Sequence, residues 1–301
     1  AAIDKTVIVH EFRLNTIRRP ERVMALPGGK GCNVARALKR LGEEPVVTGW
    51  VGGYAGHFIE DGLRAEGIAA EFVWTDFESR TCLSILDPID HTLTELYEKG
   101  EPIPLEKATE FKAYFVANVA RFSAVTLSGS LPPGVPPDFY RQLIDIAHAS
   151  GVPVLLDSSG EALRQGAAAQ PHLIKPNEAE VAELIGRRLK TRSDFAEAAR
   201  DLSAQYQTRV VISIGAEGAI AAGSNGVWQV RPPQIAVASA VGSGDCLLAG
   251  VAFGLAHGVA FETAVEYGVA AGSANALTVG AGQFALEDFT TIRSHLTIER
   301  L

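Results

Sequence analysis

The sequence predicts an α/β protein, with helices on both faces of a doubly wound, mostly parallel sheet, and three observations carry that prediction. From about Leu41 onward, short apolar runs alternate with amphipathic stretches. Glycines stop the amphipathic stretches where helix C-caps belong. No Ser/Gly/Pro linker of useful length and no internal repeat breaks the alternation, so one main domain over residues 1–301 is expected.

In chain order, Asp4 to Met24 lacks helical spacing, carries Val, Ile and Thr, and reads as an extended, hairpin-like segment. Asn33 to Leu41 has helical periodicity and ends at Gly42, and Val46 to Val51 is an apolar strand. A second helix, His57 to Ala65, ends near Gly67. Arg80 to Tyr97 is again extended. The two extended segments, about 4–24 and 80–97, are expected to form a small second sheet appended as a lid. The repeated units then resume with strand Ala124 to Leu127, helix Pro137 to Ser150 closed by Gly151, and strands Val152 to Leu156 and Leu173 to Lys175. Helix Phe195 to Gln205 and strand Val210 to Ile214 follow, and Cys246 to Ala256 is apolar and helix-compatible.

Composition narrows the function classes. With 47% hydrophobic and 21% charged residues the chain can build a core, and 30 glycines, 7% aromatics and a single methionine, Met24, make that core one of small residues. The formal charge of −8 gives no basic excess for nucleic acid, so an anionic ligand needs local cations. Cys32, Cys82 and Cys246 are an odd number with no CxxC or zinc spacing, which fits a reduced, cytoplasmic setting. The longest uncharged run, Tyr267 to Leu286, contains four glycines with Ser273, Asn275 and Gln283, and reads as a buried helix and loop rather than a membrane span.

Chemistry concentrates in a few motifs. Ala240-Val241-Gly242-Ser243-Gly244-Asp245 leads into the apolar Cys246 to Ala256 stretch. Gly242 and Gly244 permit a tight turn at a helix start, where free N–H groups and the helix dipole suit an anion such as a transferring phosphoryl group, with Asp245 facing it. A glycine turn followed by an Asp that complements the dipole is the alternative. Lys175-Pro176-Asn177-Glu178-Ala179-Glu180 lies at a strand-to-helix junction, where open α/β sheets bind ligands. Asn177 and Glu180 have capping-box spacing, and a hydrated Mg²⁺ beside them is the functional reading. Ser213-Ile214-Gly215-Ala216-Glu217-Gly218 closes a strand with a small-residue turn, open to a nucleotide or an ordinary βα loop.

Near the start, Pro27-Gly28-Gly29-Lys30-Gly31-Cys32-Asn33 enters a helix. Its glycines let a polar ligand approach the backbone, while Lys30 and Asn33 offer a charge and an amide, Asn33 being equally able to cap the helix. Arg18, Arg19 and Arg22 cluster nearby, Arg80 stands in the second extended segment, and Arg187, Arg188, Lys190 and Arg192 read as surface charge. Ser128 to Gly134 and Asp157 to Gly160 read as turns after strands. Walker A, GxGxxG, HExxH and GxSxG patterns are all missing, so any nucleotide is held differently from a P-loop or dinucleotide-binding protein, and zinc hydrolysis and Ser-His-Asp chemistry lose most of their support.

In order, GGKGCNVARALKRLG, SGSLPPGV, DSSGEAL, IKPNEAE, SIGAEGA and VGSGDCLLAG resemble the ribokinase-like carbohydrate kinases of the phosphofructokinase B family, essentially end to end. The branch most resembled is that of the 1-phosphofructokinases and tagatose-6-phosphate kinases: Thr94-Glu95 and Glu98-Lys99-Gly100 fit it, whereas minor bacterial 6-phosphofructokinases usually carry an arginine near Glu95. The resemblance implies a three-layer α/β/α sheet with a β lid and ATP-dependent phosphorylation of a ketohexose phosphate. It implies Asp245 as base, with Gly242, Ser243 and Gly244 as the anion hole. Lys175, Asn177, Ser213, Gly215, Gly218 and Asn275 would serve ATP, and Glu180 would organise Mg²⁺. Asp4, Gly28, Gly29, Lys30 and Asn33 would hold the sugar, with Arg19 and Arg80 on its existing phosphate. A homodimer through the lid is implied as well.

Three residues depart from the family pattern: Ala240 stands where threonine is usual, Ser243 where alanine is commoner, and Cys246 where serine is commoner. The missing hydroxyl at Ala240 bears on any contact to the nucleotide or to a monovalent cation. A kinase of an unphosphorylated sugar or nucleoside would not need Arg19, Lys30 and Arg80, and a silent sugar-phosphate sensor would not need Asp245 with its glycines Gly242 and Gly244. Ala1 to Thr6 resembles the end of the family's first strand and its substrate turn, so a further apolar strand of about 5 to 10 residues is expected ahead of it, to be checked by intact mass.

Overall fold

A computed structural model describes residues 1–301. The chain divides into two compact units, one of Ala1–Cys32, Val46–Phe111 and Pro132–Val135, the other of Asn33–Pro45, Lys112–Leu131 and Pro136–Leu301.

In the first unit, strands β1 (Ala2–Ile8) and β2 (Arg22–Gly28) precede the start of helix α1 (Lys30–Arg40). Strands β3 (Val46–Val47) and β4 (Trp50–Gly52), helix α2 (Gly53–Ala65) and strands β5 (Ala69–Ala70) and β6 (Val73–Thr75) come next. Strands β7 (Arg80–Asp87) and β8 (Thr92–Tyr97) and the first turns of α3 (Leu105–Asn118) complete it. Both extended segments are hairpins of one four-stranded sheet, ordered β2-β1-β7-β8, with β1 and β7 parallel at its centre. Asp87, 1% exposed, ties the two hairpin ends together by accepting the N–H groups of Glu11, Phe12, Ile89 and Asp90 at 2.7 to 3.4 Å.

Two expectations change here. Ala1 to Thr6 is not a strand end followed by a turn, because Ala2–Ile8 pairs without a break against both β2 and β7 and so belongs to the four-stranded sheet. The strand expected over Val46 to Val51 is two short pieces, β3 pairing with β5 and β4 with β6. Bonds from Glu71 N to Val47 O and from Val73 N to Gly49 O, both 2.9 Å, carry the ladder across the interruption.

The second unit holds β9 (Val125–Ser128), α4 (Phe139–Ala149), β10 (Val154–Asp157), α5 (Gly160–Ala168), β11 (Leu173–Ile174), α6 (Glu178–Ile185), α7 (Arg192–Tyr206) and β12 (Arg209–Ser213). Strands β13 (Ala219–Gly223) and β14 (Gly226–Arg231), helices α8 (Ser243–Ala256), α9 (Phe261–Ala276) and α10 (Leu286–Ser294), and strand β15 (Thr297–Arg300) follow. Its seven-stranded sheet runs β15-β14-β13-β12-β11-β10-β9, parallel from β9 to β12 and antiparallel beyond. Val210, Val211 and Ile212 are all 0% exposed, as strands covered on both faces must be. The antiparallel edge lacks a clear signal in the sequence: β13 is Ala-rich, β15 is short and exposed, and neither alternates.

The small-residue core predicted from composition is visible where α8 crosses α9. A Cβ on Gly250 would stand 2.4 Å from Tyr267 O, and one on Gly272 would stand 2.8 Å from Ser243 O. Backbone therefore lies against backbone, and α9 directly supports the first residue of α8.

Candidate active site

The parallel strands of the second unit end side by side, and their carboxyl ends carry the motifs. Ser128 at the end of β9 is in register with Asp157 at the end of β10, Lys175 N–H donates to Leu156 O at 2.9 Å, and Asn177 bridges to Ser213 at the end of β12. This is the edge at which open α/β sheets bind ligands. Lys175 is 3% exposed and pairs with the wholly buried Asp157 at 3.2 Å. Asp157 also pushes the buried Tyr140 hydroxyl pKa up, burial being the larger cause. Tyr140 in turn donates to Gly129 O at 3.0 Å, which Ser158 also reaches at 3.0 Å.

Asp245 opens α8 as its third residue and is 6% exposed. Gly242 precedes the helix at φ 78°, a left-handed conformation that a glycine adopts without strain, and a Cβ there would fall 2.3 Å from Ala281 Cβ. Ser243 N–H donates to Ala240 O at 3.1 Å, and Cys246 N–H to Gly242 O at 2.9 Å. Gly244 lies between them with Lys175 Nζ only 3.6 Å from where its Cβ would stand. The turn thus joins a helix N-terminus to a buried ammonium, an arrangement suited to phosphate oxygens.

Asn33, on α1, is 5% exposed and donates its amide to Asp245 Oδ2 at 2.8 Å. It lies inside α1, which begins at Lys30, so the capping alternative is corrected: the side chain is bonded to the carboxylate instead. Asn275 is 0% exposed: its Nδ2 donates to Val241 O at 2.8 Å and to Ser243 Oγ at 3.2 Å, and its Oδ1 accepts from Gly282 N–H at 2.8 Å. The direct nucleotide contact expected of Asn275 is corrected by this burial; the residue braces the Gly242 turn instead. Ser243, one of the family departures, supplies the hydroxyl that Asn275 reaches.

Asn177 and Glu180 form the capping box in full, Glu180 N–H donating to Asn177 Oδ1 at 2.9 Å and Asn177 N–H to Glu180 Oε2 at 2.8 Å. The helix α6 start is thereby explained, with the Glu180 carboxylate accepting from Asn177, the residue that bridges to the end of β12. The turn after β12 is tight: Ile214 N–H donates to Gly218 O at 2.9 Å, Gly215 has φ 55°, and a Cβ on Gly218 would meet Val230 O at 2.1 Å.

In the first unit, Asp4 accepts from Gly29 N–H at 3.2 Å, and a Cβ on Gly28 would overlap the Asp4 carboxylate at 2.1 to 2.4 Å, so only glycine leaves it room. Register sets Gly28, Ala2 and Arg80 in one row and Asp4 beside Cys82. Burial, aided by Asp4, pushes the Cys82 thiol up. Lys30 begins α1 directly after Gly29. Arg19 is not gathered with these residues. Ile8 pairs with Arg22 at the end of the hairpin opposite Ala2 and Gly28, and Arg19 lies in the exposed connection beyond it. Four strand residues, about 13 Å, separate that end from Asp4.

Two residues of this arrangement escaped the sequence reading. Asp157 was hidden in a turn motif, although an Asp closing a buried parallel strand is a usable signal. Arg36, one turn after Asn33, is 4% exposed and donates to Asn33 Oδ1 and to Ala281 O.

A sequence profile of the pfkB family of carbohydrate kinases matches residues 1–288. Tagatose-6-phosphate kinase of Staphylococcus epidermidis is 31% identical over 302 aligned residues, covering 99% of this chain and 96% of its own. Phosphofructokinase-2 from Escherichia coli, solved in complex with substrates and products, superposes with a TM-score of 0.91 at 29% identity, covering 98% of this chain and 96% of its own. The same enzyme has been solved in complex with potassium and in a tetrameric inhibited form. A possible 1-phosphofructokinase from Thermotoga maritima gives a TM-score of 0.91 at 28% identity, covering 100% and 97% of the two chains.

Proposed function

For a chain that belongs to the pfkB family of carbohydrate kinases, we propose that Asp245 takes the proton from the acceptor hydroxyl while the γ-phosphoryl group of ATP passes to that oxygen. The protein is an ATP-dependent sugar kinase acting on hexose phosphates, and its fold is the ribokinase-like three-layer α/β/α architecture. One observation carries the assignment of the base: a nearly buried carboxylate follows Gly242 and Gly244 at the start of α8, with the Lys175 ammonium beside the same turn.

Phosphoryl transfer needs alignment and charge neutralisation more than covalent help. The N-terminal amides of α8 and Lys175 face the charge that develops on the transferred group. Asp245, held by Asn33, accepts the hydroxyl proton as the new P–O bond forms. The glycine turn Gly215 to Gly218, with Ser213 and Asn177 beside it, offers close backbone approach to the nucleotide. Asp4, Gly28, Gly29 and Lys30 are proposed to hold the sugar, with Arg80 on its phosphate.

The nucleotide is used with a divalent metal, for which we propose Mg²⁺. This ion keeps several waters and needs only one or two protein carboxylates besides phosphates, so the oxygen donor of Glu180 suffices without a preformed cage. When bound, it neutralises phosphate charge. A monovalent cation is proposed on the likeness to phosphofructokinase-2, with Ala240 in place of threonine as the point of difference; comparing turnover in potassium and in tetramethylammonium salts checks it. The buried thiols of Cys32, Cys82 and Cys246 support a reducing, cytoplasmic setting. The exposed apolar side chains of β8 support a homodimer through the four-stranded sheet.

An acceptor screen with ATP and Mg²⁺ tests the whole reading. Fructose 1-phosphate, fructose 6-phosphate and tagatose 6-phosphate are compared with the free hexoses. Turnover of a ketohexose phosphate well above that of every free sugar is expected; preference for a free hexose refutes the assignment of Arg80.

A further inference from the structure

We infer that Arg36 is a positioning residue for the catalytic base: through Asn33 it fixes which atom of an amide faces Asp245, and through Ala281 it holds the loop packed against Gly242. The inference rests on the reading of Asp245 as base. It starts from donor and acceptor counting. A guanidinium can only donate hydrogen bonds and an ionised carboxylate can only accept them. Asn33 lies between the two, with Arg36 Nη1 3.2 Å from Oδ1 and Asp245 Oδ2 2.8 Å from Nδ2. Turning that amide over would set donor against donor on one side and acceptor against acceptor on the other. Arg36 therefore fixes the one orientation in which Asn33 donates to the base.

The same nitrogen reaches further. Arg36 Nη1 also donates to Ala281 O at 2.9 Å. Ala281 is the residue that a side chain on Gly242 would strike, and the next residue, Gly282, donates its N–H to Asn275, which holds Val241 and Ser243. A closed ring of contacts thus runs from Asp245 through Asn33, Arg36, Ala281, Gly282 and Asn275 back to the turn that begins α8. Asp245 and the Gly242 turn are set relative to each other from both directions, and Arg36 donates a hydrogen bond to each half. The 4% exposure of Arg36 leaves it little surface on which to meet a substrate directly.

A bond donated to the charged form of a carboxylate lowers its pKa, so loosening Asn33 raises it. Arg36→Met is accordingly expected to lower kcat about 10- to 100-fold, with KM for ATP changed less than 3-fold, and to move the acidic limb of kcat/KM upward. Arg36→Lys should recover most of the loss and return the limb, since both bonds leave from one nitrogen that an ammonium can imitate. The decisive comparison is the double variant with Asn33→Ala. If Arg36 acts through Asn33, Arg36→Met shifts the limb no further in the Asn33→Ala background.

An unmoved limb in Arg36→Met, a lysine variant no better than methionine, or additive limb shifts in the double variant would each overturn the inference and leave Arg36 a packing residue. Should Arg36→Met fail to fold by circular dichroism, Arg36→Gln decides. Its shorter, uncharged side chain cannot bond both Asn33 Oδ1 and Ala281 O from the place of the guanidinium, so the same limb shift is expected and its absence overturns the inference. Asp245→Asn separates the two levels. If that variant keeps near-normal kcat, the reading of the base itself fails; if it is inactive while the Arg36 variants leave the limb in place, only the inference about Arg36 fails.

Discussion

At the scale of single residues, the role proposed for Asp245 is to take the proton as the acceptor oxygen is phosphorylated, with Asn33 holding the carboxylate in place. Asp245→Asn should therefore lower kcat by about 10² to 10⁴ while KM values for both substrates change little. Steady-state kinetics on the folded variant check this, and near-normal turnover would remove Asp245 from the role of base. Arg80 tests the other end of the acceptor. It stands in one row with Ala2 and Gly28, two residues along β1 from Asp4, in a chain whose formal charge is −8. A charge-assisted contact to phosphate contributes about 1.5–3 kcal/mol, so Arg80→Ala should raise KM for the sugar phosphate about ten-fold or more and leave KM for ATP near its original value. An effect on ATP alone would move Arg80 to the nucleotide side. Residue identity was legible where chemistry restricts the choice, as with Asp245 or Gly28. It was not legible for Asn275, whose amide serves the Gly242 turn; sequence spacing cannot tell a side chain facing a ligand from one facing the loop that holds it.

At the scale of elements, two devices fix how neighbouring elements pack. The first is the close crossing of α8 and α9. Because a Cβ on Gly272 would stand 2.8 Å from Ser243 O, Gly272→Ala should force the start of α8 away from α9. Overpacking of this kind costs about 1–3 kcal/mol. Thermal unfolding should shift down by several degrees, with a fall in kcat larger than that of an alanine at an exposed α9 position. The second device is Asp87. Burial alone would raise its pKa, but the four N–H groups it accepts hold the carboxyl below its usual value. A group with a depressed folded-state pKa contributes stability above its unfolded value, about 3.9, and loses it as pH falls through the folded-state value. The hairpin ends around Glu11–Phe12 and Ile89–Asp90 should therefore gain hydrogen exchange, after correction for intrinsic rates, as pH is lowered from 5 toward about 2. Asp87→Asn should show faster exchange at the same amides already at neutral pH. Unchanged protection in the variant would show that backbone pairing of β1 with β7 suffices without the carboxylate.

At the scale of the whole molecule, the alternating apolar and amphipathic stretches revealed the parallel strands β9 to β12, because burial on both faces demands uninterrupted apolar runs. The antiparallel edge was illegible for the same reason turned round: Ala219 to Ala222 is stabilised by neighbours distant in sequence, and small residues carry little intrinsic strand preference. The hairpins of the four-stranded sheet were legible from their β-branched residues, yet nothing local reveals what covers β8. That strand is an edge, every one of its residues is exposed, and Leu93, Leu96 and Tyr97 are 43%, 58% and 56% accessible. Val23 on the opposite edge strand and Ile89 in the β7–β8 turn are 52% and 56% accessible. Apolar side chains on an unpaired edge invite strand pairing or aggregation unless another surface covers them. A second copy of the chain is the occupant proposed, since it would cover the edge by symmetry. Sedimentation equilibrium at micromolar concentration should then give twice the chain mass of 31.9 kDa. Replacing Leu93 and Leu96 together by aspartate should return the protein to a single chain mass, because charges at a buried dimer contact lack partners. A wild-type protein that sediments as a single chain at every concentration, yet stays soluble and active, would show that this edge is tolerated bare.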